Sequence, residues 1–364
     1  MSTNNSKKNT KTAPPKATPA LRFGVEIELI VKSKTKTHAD FPGLALELQT
    51  HLAAARVSSH IGDVLQKDKE KYQDWNITED ITLTSAPQRN VFGVELVSPV
   101  FLFKNQDAWN SEIRNVWRAL ERNFDVQATT ECSTHVHISP AAGPWALAQL
   151  KNIARTTVIL ERCIDAVMPG HRRINPYCMS NRYNQGYKEF EMSLICSDIN
   201  KAKNEKVLAR HMCWCSKNTL QGAITGATKD FVHPHFRWNF TSALSNKQTI
   251  EFRQPPGSRS ALDTILWVLF ATSLVRWAVV GAPALDPEQP ARLETLYSAV
   301  KTGAEKNMVR DVDLLMGIFR GVKQLPEGPS DLKGVSAAEY RKLEAEAVKK
   351  GMAFEKYKKL VAYK

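Results

Sequence analysis

The stretch Arg22-Phe-Gly-Val-Glu-Ile-Glu-Leu29 alternates apolar and acidic side chains, which predicts a β-strand. Because alternate residues of a strand share a face, Glu26 and Glu28 project together, about 6–7 Å apart. At an effective dielectric constant near 20, two such charges repel by roughly 2–3 kcal/mol. A bound divalent cation would remove this repulsion, whereas an edge strand with a solvated acidic face would tolerate it. The strand is therefore a candidate metal site.

The same alternation recurs at three later points of the chain. Apolar positions flank the polar side chains of each predicted strand, and these polar side chains are Glu95, His135 with His137, and Glu251 with Arg253. Carboxylates and imidazoles beside a guanidinium suit hard divalent cations and the phosphate groups that such cations carry. Satisfied core histidines and an ordinary salt bridge are the structural alternatives. The recurrence favours one shared site.

The histidine pair also allows a zinc site. Neither Cys132-Ser-Thr-His-Val-His137 nor His211-Met-Cys-Trp-Cys215 has the paired CxxC spacing that characterises structural zinc sites. Burial explains the second cluster more simply, since Cys is among the most buried residue types. A zinc-dependent hydrolase centred on His135 and His137 is therefore one alternative function.

A long polar loop between Met168 and Phe190 contains Pro and Gly and carries three arginines, Arg172, Arg173 and Arg182. Loops this long inside a compact domain are usually functional, so we expect these arginines to bind an anionic cofactor. A solvated surface loop is the alternative. Arg237, in a neighbouring predicted strand, would aim a second guanidinium at the place that Arg253 reaches. No GxGxxG, GxSxG or GxxxxGK[ST] pattern occurs, which removes the usual arguments for dinucleotide, hydrolase and P-loop folds.

The basic charge of the chain lies mostly at its two ends. The formal net charge is +13, of which residues 1–20 contribute +4 and residues 341–364 contribute +5. A nucleic-acid surface needs basic residues clustered on a folded face, so this distribution is weak support for one. A non-catalytic nucleic-acid binder that uses the two basic tails is a second alternative, and an anionic substrate such as a nucleotide is compatible with the charge.

Composition divides the 364 residues into three parts. Residues 1–20 are rich in polar residues, lysine and proline and predict a disordered basic tail. Residues 21–280 would form the catalytic domain, and residues 281–364, after a segment rich in Pro and Gly, a helical C-terminal extension. Predicted helices cover Phe41–His60, Asn105–Phe124, Pro144–Val167 and Ala261–Val280, and predicted paired strands cover Asp125–Thr130 and Thr134–Ser139.

Cysteine spacing and hydropathy indicate a reducing, cytoplasmic location. The six cysteines show no disulfide-framework spacing, and the N-terminus has no apolar secretory signal. The longest apolar run, Thr264–Val275, is only 12 residues long and is bracketed by charges. It predicts a buried helix and no membrane span.

Five segments together resemble the amidoligase family of carboxylate–amine ligases, which are related to glutamine synthetase and glutamate–cysteine ligase. They are Arg-Phe-Gly-Val-Glu-Ile-Glu at 22–28, Trp75 with Asp80, Gly-Val-Glu-Leu-Val-Ser-Pro at 93–99, Thr-His-Val-His at 134–137, and Thr-Ile-Glu-Phe-Arg-Gln at 249–254. They occur in the order of the family and cover residues 21–260. The last hundred residues stay outside the resemblance.

The resemblance implies an α+β fold, in which a curved, mostly antiparallel sheet flanked by helices binds ATP and two or three Mg²⁺ ions. It implies that the metal ligands are Glu26, Glu28, Glu95, His135 and Glu251. His137 would face the nucleotide or the substrate. Arg253, together with Arg237, would neutralise the γ-phosphate and the tetrahedral intermediate, and Asp80 would accept a proton from the amine.

The substrates implied are a carboxylate and an amine, each a small molecule or a peptide, with no specific nucleic-acid or membrane partner. The sequence indicates neither the two substrates nor the oligomeric state. Two positions depart from the family pattern. Gln254 is followed by Pro255 where a histidine is frequent, and Asp80 is followed by Ile81-Thr82 where Gly-Ser is usual. These departures bear on the choice of substrate.

Overall fold

The computed structural model describes residues 20–62, 72–173, 175–188, 190–218, 222, 226–280, 285–322 and 324–326. The described strands are β1 (Leu21–Ser33), β2 (Ser59–Ile61), β3 (Trp75–Glu79), β4 (Phe92–Val97), β5 (Phe101–Leu102), β6 (Phe124–Gln127), β7 (Thr134–Pro140), β8 (Trp214–Cys215), β9 (Phe231–Val232), β10 (Trp238–Asn239) and β11 (Ile250–Phe252). The described α-helices are α1 (Phe41–Ala54), α2 (Gln106–Asn123), α3 (Leu147–Ile159), α4 (Glu161–Ala166), α5 (Gly170–Arg173), α6 (Met192–Lys201), α7 (Glu205–Met212), α8 (Ala261–Val279), α9 (Leu293–Lys306) and α10 (Val312–Met316). The disordered tail predicted before residue 20 and the part of the extension after residue 326 lie outside the described residues.

Nine strands form one sheet with the order β10-β11-β7-β1-β4-β3-β2, and β5 and β6 also pair with β1. Every pair in this sheet is antiparallel except β2 with β3. Strands β8 and β9 form a separate two-stranded sheet. The structure thus confirms a largely antiparallel sheet flanked by helices, whereas the curvature of the sheet stays a prediction.

Strand β1 lies at the centre because it is long enough to pair with several strands at once. On one side, β7 pairs with Leu21–Ile27 and β6 pairs with Ile30–Ser33. The prediction that β6 and β7 pair with each other was therefore wrong. Both strands pair with the same edge of β1, one after the other along its length.

One face of the sheet is apolar and forms the core with the helices. Val25, Ile27 and Leu29 of β1 are buried on this face. Helix α8 packs there beside α2, and the indole Nε1 of Trp117 donates to Thr264 Oγ1 at 3.0 Å. By length and composition α8 is apolar enough to cross a membrane, but 78% of its most apolar 18-residue stretch is buried inside the protein. Such burial is typical of a core helix.

Three predicted elements are shorter in the structure than the sequence pattern suggests. Helix α1 ends at Ala54, and Arg56 follows in the left-handed region with φ +61°. The helix predicted over Pro144–Val167 is divided into α3 and α4 because Leu160 leaves helical geometry at ψ +4°. In the predicted strand His233–Phe240, only β10 pairs with β11.

Helix α9, beyond the predicted domain boundary at residue 280, packs closely against α8. A Cβ atom at Gly303 would lie 1.9 Å from the carbonyl oxygen of Ser273, so only glycine permits this approach. Arg276 Nε donates to Asn307 Oδ1 at 2.6 Å, and Asn307 Nδ2 donates to the carbonyl of Thr272 at 3.1 Å. Residues of α9 therefore share the core that α8 forms with the sheet, and the predicted domain division stays a prediction.

Candidate functional site

The register of four strands brings the predicted metal ligands to one face of the sheet. Directly opposed pairs are Glu26 with His135, Glu28 with Glu95, and Glu251 with His137. The alternation in each strand sends their apolar neighbours to the core and these polar side chains to the opposite face. Six groups that lie far apart in sequence thus meet on neighbouring strands.

Two overlapping groups of ligand atoms result. The first cluster consists of Glu26, His135 and Glu251, and the second cluster consists of Glu28, Glu95 and His135. Within each cluster the candidate ligand atoms all lie within 4.8 Å of one another. Each cluster offers two carboxylate oxygens and one imidazole nitrogen, a donor set that suits a divalent cation. His135 belongs to both clusters, although its assignment as a ligand stays a prediction.

The two histidines hold the carboxylate of Glu26 between them. His135 Nδ1 lies 3.0 Å from Glu26 Oε2, and His137 Nε2 lies 3.0 Å from Glu26 Oε1. The other ring nitrogens contact hydroxyl groups, His135 Nε2 with Ser133 at 2.7 Å and His137 Nδ1 with Thr249 at 3.1 Å. Both imidazoles are thereby fixed in orientation.

Electrostatics distinguish the two clusters. In the first cluster, burial would raise the pKa of Glu26, but the charge of His137 and the hydrogen bonds of both imidazoles outweigh it and hold this pKa well below the ordinary value. In the second cluster, burial raises the pKa of Glu95 well above the ordinary value, and the charges of Glu26 and Glu28 raise it further. Excess negative charge therefore collects at the second cluster, where a cation would be most stabilising.

Arg253 holds Glu251 in place at the edge of the first cluster. Its Nη1 forms an ion pair with Glu251 Oε1, and its Nε donates to the carbonyl of Tyr177 at 3.4 Å. Asn239 Nδ2 donates to the second oxygen of Glu251 at 2.7 Å. Burial would raise the pKa of Glu251, but the charges of Arg253 and His137 lower it to about 2. Glu251 is therefore a fixed carboxylate at neutral pH.

Asp80 lies at the end of the site beside the second cluster. Burial raises the pKa values of Glu28 and Glu95, and the negative charge of Asp80 raises both further. Its loop packs closely on β4, since a Cβ atom at Gly93 would lie 2.9 Å from the Asp80 carbonyl oxygen. The loop is turned by the amide of Thr82, which donates to Asp80 Oδ1 at 2.7 Å. Trp75, at the start of β3, is buried in the core.

Arg237 does not aim its guanidinium where the sequence pattern suggested. Its Nη1 lies 2.8 Å from Glu161 Oε1 and 2.9 Å from Asp165 Oδ2, and its Nη2 donates to the carbonyl of Arg173 at 2.6 Å. The side chain is buried. Its charge is therefore already paired with two carboxylates of α4, and a part in catalysis stays a prediction.

The three loop arginines make hydrogen bonds to backbone carbonyls. Arg172 donates to the carbonyls of Arg253 and Gln254 at 2.7 and 3.0 Å. Arg173 donates to the carbonyl of Met168, and Arg182 donates to the carbonyls of Tyr187 and Phe190, in contacts of 2.6–3.2 Å. These contacts tie the loop to itself and to the end of β11. Binding of a cofactor by these arginines stays a prediction.

A cavity of about 520 Å³ opens at the opposite end of the site from Asp80. Glu26 and His137 form its boundary with the first cluster, and its cationic and aromatic lining includes Arg22, Tyr72 and Lys247. Its volume lies within the range of metabolite-binding pockets. The sheet face thus carries a cavity at one end, two clusters in the middle and Asp80 at the other end.

A family model described as "Putative amidoligase enzyme" matches residues 19–275. The chain belongs to the amidoligase family. The match covers the whole sheet face, and it supports a carboxylate–amine ligase. The matched residues therefore include both clusters, and they also include Arg253 and Asp80.

Comparison with solved structures returns distant likenesses to this amidoligase. One is described as "Apo GmaS without ligand", with 11% identity, 85% of this chain and 71% of that chain covered, and a TM-score of 0.36. Another is a bifunctional glutathione synthetase from Pasteurella multocida, with 12% identity, 94% and 52% coverage, and a TM-score of 0.33. The chain spans about half the length of that synthetase. No curated protein matches significantly.

Several site residues of this amidoligase were not found from the sequence. Ser133 donates its amide and hydroxyl to Glu28 Oε2 at 2.8 and 2.7 Å, and Asn239 supports Glu251. Ser133 lies two residues before His135, so strand alternation contains the signal for it. Lys247 lies on a turn, where no periodicity indicates which way a side chain points, and only the structure reveals it.

Proposed function

We propose that this amidoligase is an ATP- and Mg²⁺-dependent ligase that joins a carboxylate to an amine through an acyl-phosphate intermediate. The observation that carries the proposal is the pair of overlapping clusters on one sheet face, with Arg253 beside them. Four carboxylates, Glu26, Glu28, Glu95 and Glu251, share this face, and Arg253 forms an ion pair with one of them. Such a face favours cations and the phosphate that cations bring with them.

The donor chemistry fits Mg²⁺. Carboxylate oxygens are the ligands that Mg²⁺ prefers, and the buried Glu28 and the half-buried Glu95, whose charges repel, gain most from a bound cation. We assign Glu26, Glu251 and His135 to one ion and Glu28, Glu95 and His135 to a second. The imidazole is the less usual ligand for this ion. When bound, the ions would neutralise phosphate oxygens and orient the reacting groups.

We place ATP in the cavity, with the phosphates toward Glu26 and His137. Arg22 and Lys247 supply positive charge within the cavity. Arg253 would then stabilise the charge that develops on the transferred phosphoryl group and on the tetrahedral intermediate. The acid and the amine would approach from the opposite end, where Asp80 lies.

The reaction has two steps that balance. In the first, an oxygen of the substrate carboxylate attacks the γ-phosphorus, the bond to the β-phosphate oxygen breaks, and ADP leaves. In the second, the amine nitrogen attacks the acyl carbon, the bond from this carbon to the phosphate oxygen breaks, and phosphate leaves. Asp80 accepts the proton that the amine releases. The residues act by positioning and by charge neutralisation.

The substrates would be a carboxylic acid and an amine, each a small molecule or a peptide. We propose no nucleic-acid or membrane partner for the reaction, and a cytoplasmic site of action, where ATP and Mg²⁺ are plentiful. The described cysteines are all buried, and neither cluster contains one. The oxygen-rich donor set therefore favours the ligase over a zinc hydrolase.

Trapping the acyl phosphate tests the proposal. With ATP, Mg²⁺ and a panel of amino acids and dicarboxylates, hydroxylamine should convert the activated acid to a hydroxamate, one for each ADP released. Glu251→Gln and Arg253→Ala should lower ADP release by at least about a hundredfold, since each removes charge at the reacting groups. Glu121→Gln and Arg114→Ala, exposed on α2, are matched controls that should retain activity.

Normal turnover in both site variants would refute this assignment of the site. ATP-independent hydrolysis by protein that holds stoichiometric zinc would instead support the hydrolase centred on His135 and His137. Salt-sensitive nucleic-acid binding that disappears when residues 1–20 and 341–364 are removed, with no nucleotide binding, would support the third function.

A further inference from the structure

Lys247 lies at the boundary between the cavity and the first cluster. Its Nζ is 3.5 Å from Glu26 Oε1 and 5.9 Å from the centre of the Tyr72 ring. Lys247 and Glu26 both line the cavity, and the lysine side chain is 38% exposed. The ammonium group therefore contacts the cluster from a position that a ligand in the cavity can also reach.

The turn that carries Lys247 has a fixed shape. Ser245 Oγ donates to the carbonyl of Ser242 at 2.8 Å and accepts from the amide of Lys247 at 3.2 Å. Gln248 has φ +51°, a left-handed conformation that residues other than glycine seldom adopt, and its amide donates to the carbonyl of Ser245 at 3.1 Å. Strain of this kind persists where the surroundings fix it, and it is frequent beside ligand sites.

A cation at the first cluster and the lysine ammonium would compete for one carboxylate. Glu26 Oε1 already lies 3.0 Å from His137 Nε2 and 3.5 Å from Lys247 Nζ. A divalent ion bound by Glu26, His135 and Glu251 would add a like charge beside this ammonium. A phosphate group in the cavity would attract the same ammonium, because lysine binds phosphate as a point charge. Phosphate binding therefore removes the competitor of the cation.

We propose that Lys247 couples nucleotide binding to cation binding in this amidoligase. Its ammonium neutralises Glu26 in the ligand-free protein and turns to the phosphates of a nucleoside triphosphate in the cavity, which leaves Glu26 to the cation. The inference rests on the proposed function, since it takes ATP as the ligand of the cavity. Linkage requires that the effect be reciprocal, so the cation must also strengthen nucleotide binding.

The coupling is tested by calorimetric titration with two ligands, Mn²⁺ and the non-hydrolysable ATP analogue adenylyl imidodiphosphate. Each ligand is titrated alone and in the presence of the other. Wild-type protein should bind Mn²⁺ more tightly with the analogue than without it. Lys247→Met should bind Mn²⁺ alone at least about fivefold more tightly, bind the analogue more weakly, and lose most of the coupling. Lys247→Arg should keep the direction of the coupling, since it keeps the charge.

The controls separate charge, phosphate and folding. Lys301→Met removes the same charge from an exposed position of α9 and should titrate as the wild type does. Inorganic triphosphate should replace the analogue and enhance Mn²⁺ binding in the same direction, because Lys247 contacts phosphate and not the base. Lys247 lies on an exposed turn, so both Met variants should unfold at the wild-type temperature.

Two results would overturn the inference, and they are distinguishable. Wild-type affinities of Lys247→Met for both Mn²⁺ and the analogue, in a protein whose wild type binds both, would overturn the coupling role of Lys247 and leave the proposed function standing. A wild type that binds no analogue, with or without Mn²⁺, would overturn both.

Discussion

The protein contains two groups of charged side chains that differ in how their charges are balanced. The first consists of the two overlapping carboxylate–imidazole clusters. The second is the support network, defined here as Glu161, Asp165 and Arg237. In the support network, Arg237 contacts both carboxylates within 3.0 Å. The second cluster instead contains two carboxylates and one imidazole, with the charge of Asp80 close by.

The two carboxylates of the support network also accept hydrogen bonds from other groups of the protein. Glu161 accepts the hydroxyl of Ser180 and the amides of Asn181 and Arg182 at 2.9 and 3.1 Å. Asp165 accepts Gln254 Nε2 at 2.6 Å. A buried charge that the protein satisfies itself holds the chain together, whereas one left in excess is arranged for a ligand. The comparison predicts opposite effects of mutation in the two places.

The largest effect should follow removal of Arg237. Arg237→Met leaves two buried carboxylates without their cation, and we expect the free energy of unfolding to fall by roughly 3–5 kcal/mol. Urea denaturation measures this change. Arg310→Met is a matched control, because Arg310 pairs with Asp107 at an exposed site with 70% and 75% of the side chains accessible. Arg310→Met should lower the free energy of unfolding by less than about 1 kcal/mol. Equal costs would remove the distinction between buried and exposed pairs.

A smaller effect should appear in the dependence of stability on pH. The fold lowers the pKa of Glu251 from 4.5 to about 2, so it stabilises the ionised carboxylate. This stabilisation is complete above pH 4.5 and is lost as the pH falls toward 2. At pH 3 the loss should be about 2 kcal/mol, and Glu251→Gln should not show it. Urea denaturation between pH 6 and pH 3 compares the two proteins, and parallel curves would contradict the assignment.

The smallest effect should be a gain of stability. Glu95→Gln removes one of the repelling charges of the second cluster while it keeps the shape of the side chain, and we expect stability to rise by about 1 kcal/mol. Glu161→Gln, the same change in the support network, should lower it by about 2 kcal/mol. Thermal unfolding without added metal measures both. A loss in Glu95→Gln as large as that in Glu161→Gln would mean that both groups are structural.

Strand alternation was enough to predict which carboxylates and imidazoles share a face. Period-2 spacing placed Glu26 beside Glu28 and His135 beside His137 within single strands. The spacing of polar residues within one strand does not specify which strand it pairs with, so the predicted pairing of β6 with β7 was wrong. Their separate positions along β1 follow from long-range packing.

Contacts between distant parts of the chain lay outside what the sequence reveals. Arg237 pairs with carboxylates 72 and more residues earlier, and Lys247 reaches Glu26 across 221 residues. Neither partner is encoded in a local pattern, because tertiary packing alone brings them together. The polar loop with its arginines predicted a functional role, which stays a prediction, and the structure shows that Arg172 donates to the carbonyls of Arg253 and Gln254, the two residues that follow β11.

The most direct test of the central claim is thermal unfolding of the purified protein with Mg²⁺ alone, with ATP alone, and with both. A specific ligand at a hundred times its dissociation constant adds about 2.7 kcal/mol to the free energy of unfolding, which is a readily visible shift. We predict a large shift only when both are present, because the charge-rich face needs the cation and the cavity needs the phosphates. No shift with both together would contradict the account.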